Sequence, residues 1–232
     1  MNPLPLLTAE AVRDAEAPLL RAGVPLMARA AGALADVVRE AASHRAGAVL
    51  VLAGAGDNGG DALYAAAQLE RALLILRTAD RVHEDALAAA LAVGAEVVTP
   101  SDPRLDSVAV VLDGILGTGV RHPRLRPAAA AVVEAGAARA RAGALMVAVD
   151  LPSGLDPDDG TVASAVLRAD LTVTFGAVKC GLTRGRGPEV TGELLLADIG
   201  LEIPESAAVG WTEAVARCVD ARSREYPRLA GG

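Results

Sequence analysis

The amino-acid sequence predicts an α/β fold, a Rossmann-like three-layer fold with a mostly parallel central sheet and helices on both faces. Three observations predict it. Short apolar runs, mostly Ala, Val and Leu, recur at 48–53, 108–112, 145–149 and 171–175, as expected of strands buried on both faces. Stretches with helical apolar spacing separate them, and alternating strands and helices imply parallel pairing through crossovers. Each run also stops at Gly or Asp, where the chain turns into a polar or Gly-rich loop.

Taken in order, residues 8–44 show helical spacing interrupted at Gly23-Val24-Pro25, which gives two helices. Thr8 is placed to cap the first, with Glu10 and Ala11 in its opening turn. The run 48–53 is a buried strand closed by glycines. A helix is expected over 61–71, a weaker strand over 73–76 and a helix over 82–93. Strand 108–112 runs into Asp113, a helix covers 127–141, and strand 145–149 runs into Asp150. Strand 171–175 runs into Gly176, and a last one, 194–196, lies near Asp198. Residues 1–221 are expected to form one domain. The polar, Pro- and Gly-bearing segment 222–232 reads as a flexible tail or linker stub.

A length of 232 residues suits one domain with one sizeable core. Aromatics make up 2% of the chain against 52% hydrophobic residues, so that core must be built from Ala, Leu and Val. The formal net charge is −7, with no basic stretch. Nucleic acids and anionic membranes attract clustered Lys and Arg, so neither is an expected partner. No apolar run reaches the ~20 residues that a bilayer span needs. The N-terminus, with Pro3, Pro5 and early acids, lacks the basic region of a signal peptide, and a cytoplasmic location is expected. Cys180 and Cys218 have no C-x-x-C spacing and frame no zinc site. Cys180, beside Lys179, is either an ordinary reduced thiol or an activated nucleophile.

In open α/β sheets, ligands sit beyond the carboxyl ends of the strands, where strand order reverses. Three strand ends open into suitable loops, at 54–61, 113–123 and 150–156, and they share one crevice if their strands are neighbours. The first matches G-x-G-x-x-G as Gly54, Gly56 and Gly59, with Asp80 about where a ribose-binding acid belongs. That is the pattern of a nicotinamide-dependent oxidoreductase. Asp57 and Asp61 count against it, because two carboxylates repel a pyrophosphate at the helix N-terminus. The loop reads better as a binder of sugar hydroxyls or a cation, the alternative being a tight turn with a capping Asp. Asp113 and Asp150 stand at matching strand ends with Ser153 nearby, which favours a site over two structural caps. Lys179 either pairs with one of these acids or extends its stem over the surface. His44 and His83 stand without partners and are expected at the surface.

The sequence resembles the YjeF N-terminal domain family. The resemblance rests on an ordered set: Asp57-Asn58-Gly59-Gly60-Asp61 after a strand, Asp113-Gly114-Ile115-Leu116-Gly117-Thr118-Gly119, Val149-Asp150-Leu151-Pro152-Ser153-Gly154-Leu155-Asp156, and Thr174-Phe175-Gly176-Ala177-Val178-Lys179. Leu7-Thr8-Ala9-Glu10 and Gly23-Val24-Pro25-Leu26-Met27 are similar to that family's N-terminal helices, so the likeness runs from about residue 6 to residue 201.

The family's best-known members are NAD(P)H-hydrate epimerases, which interconvert the R and S forms of NADHX and NADPHX, cofactors hydrated on the nicotinamide ring. The resemblance therefore implies an isomerase of cofactor repair, a bound potassium ion and a homodimer. It also implies functional coupling to an NAD(P)HX dehydratase, to which the domain is often fused in bacteria. Position by position, it implies substrate contacts from Asp57, Asn58, Gly59, Gly60 and Asp61, from Gly117, Thr118, Gly119, Val120, Arg121, His122 and Pro123, and from Asp150. It places potassium on Asn58, Asp113 and Ser153, all oxygen-bearing side chains suited to a hard cation. Arg121 and His122 would meet phosphate oxygens.

The carbon to be inverted bears a hydroxyl and the ring nitrogen. It can lose hydroxide to an iminium-like species or open to an aldehyde, and Asp150 is the expected general acid/base. The sequence departs from the family at Asp57, where many members have Asn, at Ala62 in place of Gly, at Leu116 in place of Phe, and at Ala28, where Glu usually follows Met. Two other readings stand beside the epimerase: a non-catalytic binding or scaffold module, and the oxidoreductase.

Overall fold

The computed structural model describes residues 3–119, 125–163 and 165–222. The chain opens with strand β1 (Leu4–Leu7), which the sequence pattern, with its two prolines, does not announce. Helix α1 (Ala9–Arg21) follows, capped by Thr8, whose hydroxyl accepts from the Ala11 N–H at 3.2 Å. Gly23, at φ +73°, turns the chain toward α2 (Leu26–Ala41). The elements that follow are β2 (Ala48–Ala53), α3 (Asp57–Ala66), β3 (Leu73–Arg77), α4 (Glu84–Ala92), β4 (Glu96–Val97) and β5 (Val108–Gly114). After these come α5 (Ala130–Arg141), β6 (Leu145–Val149), β7 (Leu171–Phe175), β8 (Val178–Lys179), α6 (Gly187–Val190), β9 (Glu193–Asp198), β10 (Gly210–Thr212) and β11 (Val215–Asp220).

Eight of these strands pair in parallel, in the order β11-β9-β7-β6-β5-β2-β3-β4. From β2 the chain first builds outward through β3 and β4, then returns to lay β5 and its successors on the other side. Strand order therefore reverses between β2 and β5, where a crevice opens at the carboxyl ends. The register puts Leu52 opposite Asp113 and Asp113 opposite Ala148. The three loops singled out in the sequence thus leave adjacent strands.

Alternate residues of each strand face opposite layers. Val49 and Val51 join Leu34, Val38 and Leu63 from α2 and α3 in one core, while Leu50 and Leu52 pack with Met146, Val132 and Val133 in the other. Helix α5 covers only part of that second face. Leu194 and Leu196 of β9 are instead buried with Leu6 of β1 and Val178 of β8, in a cluster roofed by a three-stranded sheet of order β10-β1-β8. Pro5 is tolerated in its middle strand because β8 pairs only with Leu6 and Leu7, which leaves Pro5 bordered by β10 alone.

Among the boundaries that differ from the sequence expectation, two bear on the site and on the chain's end. Helix α3 begins at Asp57, four residues before the expected start, so much of the glycine-rich loop is the helix's first turn. A carboxylate there is favoured by the partial positive charge of the N-terminus. At the other end of the chain, Arg222 pairs with Asp198 at 2.7 Å and so belongs to the folded domain. The rest of the proposed tail, 223–232, lies outside the described residues.

Candidate active site

The loops after β2 and β5 cross so closely that side chains are excluded at the crossing. A Cβ at Gly54 would lie 2.0 Å from the Ile115 carbonyl oxygen, and one at Gly59 would lie 2.3 Å from the Gly54 oxygen. At Gly114 a Cβ would meet the Ala62 methyl at 2.6 Å, and at Gly60 the His83 ring at 2.9 Å. Gly56 alone of the G-x-G-x-x-G set has nothing within 4 Å of the added atom. Two of the three fingerprint glycines are thus required by packing. His83 is not the unpartnered surface residue expected. It caps α4 by accepting from the Ala86 N–H at 3.2 Å, and its ring meets Tyr64 edge-on at 5.7 Å.

Asp113 ends β5 fully buried. Its Oδ1 accepts from the Ser153 hydroxyl at 2.6 Å and the Ile115 N–H at 3.3 Å, and its Oδ2 accepts from the Ser153 N–H at 2.8 Å. Ser153 also accepts from the Leu116 N–H at 3.0 Å, which ties the second and third loops together. Burial pushes the Asp113 carboxyl up to about 6, against the pull of the Ser153 and Ile115 hydrogen bonds. Asn58, in the first turn of α3, borders the same place. A Cβ at Gly117 would lie 3.1 Å from its Oδ1, and its buried Nδ2 finds no hydrogen-bond partner.

Asp150 follows β6 at φ +65°, and the Leu151 N–H donates to the Val149 carbonyl at 2.8 Å. These features define a γ-turn of the rare positive-φ kind centred on an aspartate. The adjacent strand β7 ends in a similar turn, with the Ala177 N–H on the Phe175 carbonyl at 2.7 Å, but glycine takes its centre at Gly176, φ +70°. A side chain in such a conformation costs about 1–3 kcal/mol and persists where its surroundings hold it. Here Asp150 Oδ1 accepts from the Lys179 ammonium, from the Thr174 hydroxyl at 3.1 Å and from the Phe175 N–H at 3.2 Å. Lys179 is 1% exposed and also donates to the Phe175 carbonyl at 2.8 Å and to Thr174 at 3.1 Å. Of the two roles left open for it, this lysine takes the paired one.

Further acids face the same ion pair. Asp61, in the second turn of α3, is 9% exposed, and its Oδ1 has no hydrogen-bond partner among the described residues. Burial, then the negative charges of Asp150, Asp57 and Glu16, raise its carboxyl well above the usual range, with Lys179 pulling the other way. Glu16, from α1, is raised chiefly by burial, with Lys179 opposing. Its place follows from the N-terminal strand. Leu7 of β1 pairs with Lys179, the Cys180 thiol donates to the Leu7 carbonyl at 3.1 Å, and Asp158 accepts from the Ala9 N–H at 2.6 Å. Helix α1 is thereby held over the crevice, and Arg13 reaches the Thr118 carbonyl at 2.8 Å.

The structure thus brings together Asp57, Asn58, Gly59, Gly60, Asp61, Asp113, Asp150 and Ser153, with Gly117, Thr118 and Gly119 on the second loop. Val120, Arg121, His122 and Pro123 lie outside the described residues. Cys180 is fully buried and its thiol is pushed up by burial, so it is not an activated nucleophile. Among the described residues, no group of three or more His, Cys, Asp or Glu side chains is arranged to hold a metal ion. Glu16 and Arg13 were not singled out in the sequence. The available signal for Glu16 was its position four residues after buried Val12, on the inward stripe of α1 where an apolar residue is expected.

An open parallel sheet with an acid-lined crevice at its strand-order reversal defines a Rossmann-like α/β protein. More narrowly, the chain belongs to the family of YjeF-related protein N-termini, which it matches over residues 23–181. It is 54% identical over 203 residues to an NAD(P)H-hydrate epimerase of Microbacterium testaceum, covering 84% of this chain and 78% of that one. It is 43% identical over 131 residues to a bifunctional NAD(P)H-hydrate repair enzyme of Mycobacterium leprae, covering 56% of this chain and 25% of that protein. The fold is similar to the crystal structure of yeast ynu0, with a TM-score of 0.68 and 20% identity over 81% of this chain and 86% of the yeast chain.

Proposed function

We propose that this protein is an NAD(P)H-hydrate epimerase that interconverts the R and S forms of hydrated NADH and NADPH. Its similarity to relatives of that name supports the reading, and one structural observation carries it to a residue. The γ-turn at the end of β6 holds an aspartate where its neighbour on β7 uses glycine, and a buried lysine pairs with it. Strain of that kind, kept beside a crevice, points to a working side chain. Asp150 Oδ1 is occupied by three donors, which fixes the carboxylate and leaves Oδ2 to exchange a proton with the hydroxyl on the inverted carbon. The first turn of α3 and residues 117–119 bind the hydroxyl-rich part of the substrate, and Arg121 and His122 take its phosphates.

A potassium ion on Asn58, Asp113 and Ser153 belongs to the same reading. The residues fit it: Asp113 is a fully buried carboxylate with no cationic side chain among its hydrogen-bond partners, and the other two groups contribute neutral oxygens. Asn58 presents its oxygen or its nitrogen according to how the amide is turned, and the nitrogen as placed has no acceptor. Such an ion supplies fixed positive charge to the crevice. The protein is proposed to act in the cytoplasm as a homodimer, coupled to a dehydratase that acts on the S form. The bifunctional relative supports that coupling, and the remainder rests on the family resemblance. Among the described residues, no helix is long and apolar enough to cross a membrane.

The test is to supply purified R-NADHX and follow its conversion to the S form, in potassium and in choline at equal ionic strength. Conversion faster in potassium is expected. No conversion in either would overturn the assignment.

A further inference from the structure

The α3 aspartate has no role in the account so far beyond touching substrate, although its surroundings are unusual. Asp61 is nine-tenths buried, and among the described residues its Oδ1 lacks a hydrogen-bond partner and no cationic side chain is bonded to it. Asp150 is the opposite case, a buried carboxylate with an ammonium on it. The two groups flank the end of β5. Asp61 follows β2 on one side and Asp150 follows β6 on the other, two strand spacings or about 10 Å apart at the level of the sheet. Asp150 and Glu16 are both among the negative charges that act on Asp61, with Lys179 opposing them.

We infer that Asp61 and Asp150 are the two proton-transfer groups of the epimerisation, acting from opposite faces of the hydrated ring. This rests on the epimerase reading above. In one direction the Asp61 carboxylic acid gives its proton to the C6 hydroxyl. The C6–O bond breaks, water leaves, and the N1 lone pair forms the C6=N1 iminium. A second water adds to C6 from the other face and loses a proton to the Asp150 carboxylate, and the C=N electron pair returns to N1. Asp61 ends as carboxylate and Asp150 as acid, which is the state that runs the reaction backwards. The buried carboxyl without a bonded cation suits the acid, and the one held by an ammonium suits the base. Burial, then the negative charges of Asp150, Asp57 on its own helix and Glu16, raise the Asp61 carboxyl, and Lys179 opposes them.

The experiment measures epimerisation against pH for the wild type, Asp61→Asn, Asp61→Glu and Asp150→Asn, and repeats the wild-type reaction in water enriched in oxygen-18. The wild type is expected to show a bell, with one solvent oxygen entering C6 per inversion. Asp61→Asn is expected to lower kcat by about 10²–10⁴-fold, keep KM within about threefold and lose the alkaline limb. Asp61→Glu recovers part of kcat. Asp150→Asn is expected to lower kcat by a comparable factor. Retention of wild-type kcat and both limbs in Asp61→Asn, or inversion without solvent oxygen, overturns the inference while leaving the epimerase reading intact. A wild type that does not epimerise NADHX refutes both, and circular dichroism of each variant, with the partial rescue in Asp61→Glu, separates loss of the acid from loss of the fold.

Discussion

Removing the Lys179 ammonium leaves the Asp150 carboxylate, 6% exposed, beside two neutral donors and no cation bonded to it. Breaking a buried pair from one side costs about 3–5 kcal/mol, because a buried charge remains uncompensated. Lys179→Met is therefore expected to lower the unfolding free energy by about that much in urea titrations; a loss below about 1 kcal/mol would show that Asp150 is solvated after all. Asp61 gives the opposite sign. Its carboxyl is raised in the folded protein, so the folded state holds the proton more tightly than the unfolded chain does. The stability linked to that proton is fully present below the unfolded value and is lost as pH rises through the folded one. Asp61→Asn, which has no such proton, should match the wild type at acid pH and melt above it at neutral pH. A melting difference independent of pH would contradict the burial of an ionisable group there. Glu16 was not legible beforehand, and the sequence left open whether Lys179 pairs with one of Asp113 and Asp150 or with neither. Lys179 and Asp150 are 29 positions apart, and only the pairing of β6 with β7 brings them together.

The glycine-rich segment shows how an element's role is decided by what it crosses. A Cβ at Gly59 would lie 2.3 Å from the Gly54 carbonyl oxygen, whereas one at Gly56 would meet nothing within 4 Å. Gly59→Ala must displace backbone and is expected to destabilise by about 1–3 kcal/mol, while Gly56→Ala should leave the midpoint of denaturation nearly unchanged. Equal effects would show that the crossing is looser than described. The buried strands β2, β5, β6 and β7 were readable because burial on both faces leaves uninterrupted apolar runs. The short strands β1, β4, β8, β10 and β11 were not, since they are brief or carry polar residues. In β11, Arg217 and Asp220 stand among the exposed positions of an edge strand. Strand β1 matters most of these, because it sets α1, and with it Glu16, over the crevice.

Across the whole molecule, the three loops were legible as a site because parallel sheets place ligands where strand order reverses, and the order here reverses between β2 and β5. What the sequence could not supply was the charge balance. Among the described residues, Lys179 faces four acids in the crevice, Glu16, Asp57, Asp61 and Asp150, with Arg13 acting on Glu16 and Asp113 buried nearby. A cation that binds only the folded state stabilises it by mass action, about 2.7 kcal/mol at 100 times its Kd. Melting temperature is accordingly expected to rise with potassium at constant ionic strength, and Ser153→Ala should blunt the rise. Equal melting in potassium and choline would remove the ion from the account.

The central claim is that the strained aspartate after β6 moves the proton. Its most direct test compares R-to-S conversion of NADHX by the wild type and by Asp150→Asn, with both proteins shown to be folded by circular dichroism. The account predicts a loss of about 10²–10⁴-fold in kcat for Asp150→Asn. A rate within threefold of wild type would contradict it.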